Sequence, residues 1–265
     1  MVIKMILDSL KSKCEKMLRK CPDLMIEDAS VCYPYTYVIV RDLEGRRALG
    51  ACLTPLLEMS NREVWQPPRF PGGQAVEVLR IANSTHMIER VLGIATLNAI
   101  SQYFLDTERL GSNLIEGVVE LIKRELHKGS KVAVVGYMTP LVNELRSLGY
   151  DLMVFERDRS ARRDALSDCL EPRLLPQADA VIITGATLLN DTLDEVLEYS
   201  RSARIRALVG STAQAHPDIL KGTGLTHVAS VKVVDIDEAV KAIKLTAWRN
   251  AFFGEYARSY TIKLE

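Results

Sequence analysis

The stretch TGATLLNDT, which follows an apolar run, presents more chemistry than any other part of the sequence. Its hydroxyl and amide groups belong to Thr184, Thr187, Asn190 and Thr192. Gly185 would let the backbone approach a ligand closely. Such groups can hold a phosphate, a carboxylate or a planar polar ligand, although they supply no catalytic proton. Because Asn190 or Asp191 could equally cap a following helix, ligand binding and capping are both expected at this loop.

An earlier loop, GYMTP, contains Gly136, Tyr137 and Pro140. It is not a GxGxxG fingerprint, and Tyr137 would occupy space that a pyrophosphate needs, which disfavours plain NAD binding. Glu156 lies about 20 residues after Gly136, where dinucleotide-binding folds place a ribose-binding carboxylate. An adenosine-containing ligand or S-adenosylmethionine therefore stays open. The alternative is that Glu156 pairs with a nearby arginine.

A later loop, GSTAQAHP, offers Gly210, Ser211, Thr212 and His216. It has neither a GxSxG elbow nor an acid placed to orient the histidine, which disfavours a serine hydrolase. A histidine before a proline is typical of a structural loop residue. A role for His216 as a base or a metal ligand is the alternative.

Other metal donors are sparse. His86 and Glu89 lie three residues apart, a spacing that places both on one helix face and suits either a metal or a surface ion pair. The cysteines are odd in number and form no CxxC pair: Cys14, Cys21, Cys32, Cys52 and Cys169. A disulfide framework and a thiolate zinc site are therefore disfavoured.

The elements that must position these loops alternate between apolar strands and helices. Strands are predicted at 131–136, 151–156, 178–185, 204–211 and 230–235. Helices are predicted at 140–148, 192–200 and 236–244, with a helix and tail after 246 that break at Gly254. This alternation predicts an α/β fold with a doubly wound parallel sheet. Ligands bind at the carboxyl ends of such strands, which is where all the loops above lie.

The N-terminal half has a different character. It predicts an amphipathic helix that ends before Pro22, a hairpin that turns at Gly45, helical segments over 76–104 divided near Asn83, and a helix over 113–126. Asn98, in an apolar context, is expected to be a satisfied buried amide or to face an interface. The proline-rich loop that holds Trp65 and Phe70 could cover a site. We expect a smaller α+β domain at 1–127 and an α/β domain at 128–265.

Composition narrows the partners. The 34 basic residues balance the 34 acidic residues, so no overall field attracts nucleic acid or an anionic membrane. The N-terminus has charges interleaved at helical spacing rather than a signal peptide, and no run reaches the ~20 apolar residues of a membrane span. We expect a cytoplasmic protein.

Together, VVGYMTPLV, VFERD, ADAVIITGATLLNDTLDEVL, LVGSTAQAHPDIL and GIATLNAIS resemble the putative heavy-metal-chelation family of prokaryotic proteins. The resemblance implies an enolase N-terminal-like domain, a Rossmann-like C-terminal domain, and a cleft between them that a homodimer completes. The positions that match are Gly136, Tyr137, Pro140, Glu156, Thr184, Gly185, Thr187, Asn190, Thr192, Gly210, Ser211 and Thr212. One difference is that relatives often have GPS where this chain has GST.

Three functions follow as hypotheses. The first is a protein that binds a small polar ligand and makes or handles a metal-chelating compound. The second is an enzyme that uses a nucleotide or S-adenosylmethionine. The third is a metal carrier without catalysis, which the scattered cysteines and only four histidines disfavour. The residues leave open whether the site is catalytic and whether a divalent metal is its cofactor.

Overall fold

The structure, a computed structural model, describes residues 5–59, 72–108 and 117–264. The predicted loop of Trp65 and Phe70 lies outside these residues. The first half contains α1 (Ile6–Leu18), β1 (Met25–Ser30), β2 (Tyr35–Arg41), β3 (Arg47–Leu53), α2 (Ala75–Leu79) and α3 (Met87–Thr107). Its strands form a three-stranded antiparallel sheet in the order β1-β2-β3, and Gly45 turns the hairpin with a φ of 83°. The predicted α+β composition is confirmed.

The second half contains α4 (Val118–Glu125), β4 (Lys131–Val135), α5 (Thr139–Ser147), β5 (Asp151–Phe155), α6 (Glu171–Leu174), β6 (Ala180–Thr184), α7 (Ala186–Leu189), α8 (Leu193–Tyr199), β7 (Ile205–Val209), α9 (Pro217–Leu220), β8 (His227–Val233), α10 (Ile236–Lys244), α11 (Trp248–Phe253) and β9 (Ala257–Lys263). The six-stranded sheet has the order β5-β4-β6-β7-β8-β9. All neighbours are parallel except β8 and β9. The predicted α/β fold with a doubly wound parallel sheet is confirmed.

Two strands were not predicted. β1 has the sequence MIEDAS, and β9 has the sequence ARSYTIK, so both carry charged residues that hide a strand pattern. Each pairs with one neighbour only, at an edge of its sheet, where exposed polar side chains are tolerated. The segment after Gly254, predicted to be a tail, is therefore an antiparallel strand that closes the sheet.

Helix α3 lies at the centre of the molecule. It is apolar on all sides, and each residue from Val91 to Leu105 is buried, as expected for a helix enclosed by protein. Although α3 has 21 residues, no helix in the described part of the chain is long and apolar enough to cross a membrane. One apolar cluster runs from Leu7 through α3 to Val228, so the two halves share a core. The division at residue 127 stays a prediction; α4, before it, packs on the six-stranded sheet.

The contact between α3 and β3 brings backbone against backbone. A Cβ atom at Gly50 would lie 2.0 Å from the backbone nitrogen of Ala99 and 2.2 Å from the carbonyl oxygen of Ala95. Neither atom belongs to a flexible side chain, so nothing can move aside without displacing the helix. The absence of a side chain at Gly50 therefore sets how closely the small sheet approaches the central helix.

We predict that Gly50→Ala destabilises the protein by about 3 kcal/mol or more. Overpacking typically costs about 1–3 kcal/mol, and we expect the upper end of this range because the opposing atoms belong to a rigid backbone. The control is Gly129→Ala, where the added Cβ atom meets nothing within 4 Å and only the positive φ of 85° is strained. That strain costs about 1–2 kcal/mol. Urea unfolding of both variants measures the difference; equal losses would contradict the packing argument.

Candidate functional site

The site lies where the strand order reverses. From the adjacent strands β4 and β6, the chain leads to β5 on one side and to β7 on the other. This reversal leaves a crevice at the carboxyl ends of β4 and β6, the usual ligand position in open α/β sheets. A cavity of about 430 Å³ opens there, a size that suits a small molecule. We call it the strand-end pocket.

The strand-end pocket brings together most of the predicted ligand-binding residues. Those that line it are Gly136, Tyr137, Glu156, Thr184, Thr187, Asn190 and Thr192. The predicted residues outside its lining are Pro140, Gly185, Gly210, Ser211 and Thr212. From the described part of the N-terminal half, only Leu53 contributes to the wall. The pocket is thus mainly a feature of the six-stranded sheet.

Glu156 joins the ends of two strands. One carboxylate oxygen accepts the backbone N–H of Tyr137, and the other accepts that of Asp158, both at 2.9 Å. Gly136 precedes this link with a φ of 89°, and a Cβ atom there would lie 2.7 Å from Cγ2 of Thr184. Glu156 therefore fixes the first loop, GYMTP at 136–140, through its hydrogen bonds, and it forms no ion pair with any arginine that the structure describes.

The TGATLLNDT loop at 184–192, which we call the third loop, is held by hydrogen bonds between its own residues. The hydroxyl of Thr187 donates to the carbonyl oxygen of Thr184 at 2.8 Å, and the hydroxyl of Thr192 donates to Oδ1 of Asn190 at 2.7 Å. Asn190 thus supports Thr192, the residue that precedes α8, by accepting its hydroxyl. Its amide nitrogen has no hydrogen-bond partner among the described residues, so two donors at the pocket wall are available to a ligand.

The GSTAQAHP loop at 210–217, which we call the fourth loop, was expected at the ligand site, but its first three residues lie outside the lining of the pocket. Ser211 and Thr212 are buried, and Thr212 accepts the N–H of Leu53 in β3 through its hydroxyl at 2.9 Å. A Cβ atom at Gly185 would lie 2.7 Å from the backbone nitrogen of Ala213. The glycine therefore allows the third loop to approach the fourth loop closely, and its approach to a ligand stays a prediction. These residues hold the two sheets together beside the pocket.

Further side chains complete that connection, which we call the polar seam. Nδ2 of Asn98 donates to the carbonyl oxygens of Ala51 and Thr212, each at 2.8 Å. Oε1 of Gln214 accepts the N–H of Ala51 at 2.7 Å, and its Nε2 donates to the carbonyl oxygen of Val231 at 2.9 Å. Asn98 is thus a buried amide whose donors are satisfied, at the boundary between the two sheets.

Sequence reasoning missed an acidic part of the pocket. Its additional polar lining residues are Arg157, Asp168, Cys169, Glu171 and Glu195. Most of them follow β5 in a segment with neither strand nor helix periodicity, so the pattern gave no reason to place them at a site. The sequence DCLE, with two acids around a cysteine, was the available signal.

Glu171 is the unusual member of this group. It is only 9% exposed, and no hydrogen bond or ion pair reaches its side chain from any described residue. Burial, as the largest cause, together with the neighbouring carboxylates of Asp168 and Glu195 raises its pKa from 4.5 to about 7. Near neutral pH the pocket therefore holds a carboxyl group that a positive charge would stabilise.

His216 is held by protein groups. Its Nδ1 accepts the backbone N–H of Asp218 at 3.2 Å, and its Nε2 lies 3.3 Å from Oε2 of Glu108. One donor atom from each of these residues lies within 4.8 Å of the others, the spacing of a metal site. However, an Nδ1 that accepts a hydrogen bond leaves the ring proton on Nε2, so neither nitrogen offers a free lone pair. Burial lowers the His216 pKa and keeps the ring neutral.

The other predicted metal pair does not have the expected geometry. Helix α3 begins at Met87, and His86 precedes it with an extended backbone, so the pair spans the start of the helix rather than lying within it. Glu89 accepts the hydroxyl of Ser84 at 2.5 Å. A role for the pair as metal ligands stays a prediction.

Comparison with known proteins gives the same family description for both halves of the chain. Two family models, each described as putative heavy-metal chelation, match residues 118–262 and 14–101. An uncharacterised protein of Methanocaldococcus jannaschii is 39% identical over 264 residues, which cover 98% of this chain and 99% of that protein.

Two solved structures of DUF364 family proteins of unknown function are similar to this chain. The protein from Pyrococcus horikoshii is 34% identical, with a TM-score of 0.85 over 98% of this chain and 100% of that one. The protein from Desulfitobacterium hafniense is 21% identical, with a TM-score of 0.74 over 96% and 98% of the two chains, and supports the fold alone.

We predict that Thr212→Val destabilises the protein by about 1–3 kcal/mol, because the buried N–H of Leu53 loses its acceptor. Thr261→Val is the matched control, since the hydroxyl of Thr261 is buried without a hydrogen-bond partner and a methyl group can replace it at little cost. Chemical denaturation of both variants measures the two effects. If Thr212→Val is as stable as its control, the polar seam does not support the fold.

We predict that Glu171→Gln stabilises the ligand-free protein at about pH 8 and not at about pH 5. The raised pKa means that ionisation of Glu171 opposes folding as the pH rises from 4.5 to about 7, and glutamine avoids that cost. The gain is at most about 3 kcal/mol. Thermal unfolding across this pH range measures it, with Glu198→Gln on the exposed side of α8 as the control. A gain that is independent of pH would contradict this origin.

Proposed function

The chain belongs to the DUF364 family, described as putative heavy-metal chelation, and on that premise we propose that it binds a small polar, metal-chelating ligand in the strand-end pocket. The observation that carries this proposal is the convergence of polar side chains from separate loops on one cavity at the strand-order reversal. Ligands of α/β proteins bind at this position irrespective of their chemistry. The family description supplies the link to metals.

The lining supports a ligand with both polar and planar parts. Thr184, Asn190 and Thr192 offer hydroxyl and amide groups on one side. Tyr199 offers aromatic surface to the same cavity. An apolar wall with a few convergent polar groups is typical of small-molecule sites. The proposal is one of binding and includes no proton-transfer step.

A second candidate is an adenosine-containing ligand. Glu156 favours it, because this carboxylate ends β5 beside β4, where related folds contact a ribose. Its oxygens each accept one backbone N–H, and each keeps a lone pair that a ribose hydroxyl could use. Nucleotides and S-adenosylmethionine therefore belong in any ligand screen, as does free metal for the carrier hypothesis. Completion of the site across a homodimer, which light scattering can test, stays a prediction.

We predict that a metal-chelating compound raises the melting temperature of the full chain in a thermal-shift screen. The panel contains pterin-like and siderophore-like compounds, nucleotides, S-adenosylmethionine and divalent metals. Asn190→Asp should weaken that binding by about tenfold, equivalent to 1.4 kcal/mol, because it replaces the amide donors and keeps the acceptor for Thr192. The control is Asp191→Asn, one residue further and outside the lining.

The screen separates the candidates. Stabilisation by nucleotides alone would favour the second candidate, and a further loss of affinity in Glu156→Gln would support it. Stabilisation by no compound of the panel would contradict the proposed function.

A further inference from the structure

We propose that the strand-end pocket contains a metal subsite formed by Asp168, Cys169, Glu171 and Glu195, which holds a divalent ion such as Zn²⁺ or Ni²⁺. This subsite rests on the proposed function, because it occupies the same pocket. It goes further by naming the residues that hold the metal and by separating them from the Thr184 to Thr192 side, which would hold the organic part of the ligand.

Glu171 is the first reason for this assignment. A glutamate residue that is 91% buried normally has an ion pair or several hydrogen bonds, because a charge is costly to remove from water. Glu171 has neither among the described residues, yet its side chain lines an open cavity. The missing partner can therefore come from the pocket, and it must be positive or a strong donor.

The surrounding charges point the same way. Asp168 and Glu195 act on Glu171 as like charges, and Glu156 adds a fourth carboxylate to the lining. Arg157 is the single cationic residue in the described lining, and it makes no ion pair with Glu171. Four carboxylates against one guanidinium favour a cation over a phosphate or a free carboxylate.

Cys169 narrows the class of cation. Its thiol is exposed, is not in a disulfide, and lines the pocket between two carboxylates in the sequence. Oxygen donors alone would suit Mg²⁺ or Ca²⁺, whereas one thiolate with carboxylates suits a softer ion such as Zn²⁺. The other four cysteines lie outside the lining of this pocket.

The subsite is open in this structure. No three of its donor atoms lie within 4.8 Å of one another, since the one such group in the described ranges is that of Glu108, His216 and Asp218. Glu171 is fixed by burial, while Cys169 and Glu195 are exposed and can change rotamer. A metal that arrives with ligands from a small chelator needs few protein donors. Rotation of these side chains can therefore bring the donors to an ion, with or without the ligands of a chelator.

Isothermal titration calorimetry tests the subsite on the untagged full chain, freed of metal, with ZnCl₂, NiCl₂ and MgCl₂ as separate probes. We expect Zn²⁺ and Ni²⁺ to bind and Mg²⁺ to bind more weakly. Glu171→Gln should weaken Zn²⁺ binding by at least about tenfold, since residues that only support a metal ligand already matter by about 10–100-fold. Cys169→Ser should weaken Zn²⁺ binding and leave Mg²⁺ binding unchanged.

Two controls make the result specific. Glu198→Gln removes an exposed carboxylate from the same helix as Glu195, outside the pocket, and should bind Zn²⁺ as the wild type does. His216→Gln disrupts the other group of donors and should also leave Zn²⁺ binding unchanged. Circular dichroism confirms that each variant is folded.

The subsite is overturned if the wild type binds neither Zn²⁺ nor Ni²⁺, if Glu171→Gln binds them as tightly as the wild type, or if binding is lost in His216→Gln instead. These failures are distinct from failure of the proposed function. An organic ligand that stabilises the protein and depends on Asn190 would leave the proposed function standing without the metal subsite. If neither the metals nor any organic compound binds, both proposals fall.

Discussion

The free edge of β3 is the constraint on which the arrangement of the site depends. β3 pairs with β2 on one side only, and its other edge, at Ala51 and Leu53, faces the protein interior rather than water. Buried backbone groups must find partners, and no strand is available there. Gln214, Thr212 and Asn98 supply them with side-chain atoms. This holds the loop after β7 in place, and the backbone of that loop in turn abuts Gly185 at the start of the third loop. The shape of the pocket is thus set from the opposite sheet.

The pocket differs from the seam beside it in its charge. In the seam, the amide nitrogens of Asn98 and Gln214 donate to backbone carbonyl oxygens, while the side-chain oxygen of Asn98 is a neutral group buried without a partner among the described residues. In the pocket, the carboxyl group of Glu171 has no partner among the described residues and lies beside two like charges. Stability alone would not favour that arrangement. Groups with perturbed ionisation in a cleft are frequent at functional sites, which is the physical reason for placing function at the pocket.

The sequence predicted the parts of the fold that depend on local periodicity. Continuous apolar strands such as KVAVV, with the glycines that follow β4, β6 and β7, were sufficient for the parallel sheet and for the edge at which Thr184 and Asn190 meet Tyr137. It could not predict β1 or β9, since a charged edge strand is defined by its partner. Nor could it separate Thr212 from Thr187: both follow strands of the same sheet and both are buried, and only the position of the other sheet decides which hydroxyl bonds to β3. Glu171 was missed because its significance lies in its isolation, which no motif encodes.

The placement of β9 has a consequence for how the chain is synthesised and folded. β8 is almost wholly buried, and its outer edge is covered only when residues Ala257 to Lys263 pair with it. The N–H of Ile6 in α1 is likewise accepted by Asp194, at 3.0 Å and 188 positions away. The start of α1 and the outer edge of β8 therefore gain these partners only after residues far along the chain have been synthesised. Such high contact order slows folding, and until β9 pairs with it, β8 presents an unpaired edge that invites intermolecular pairing.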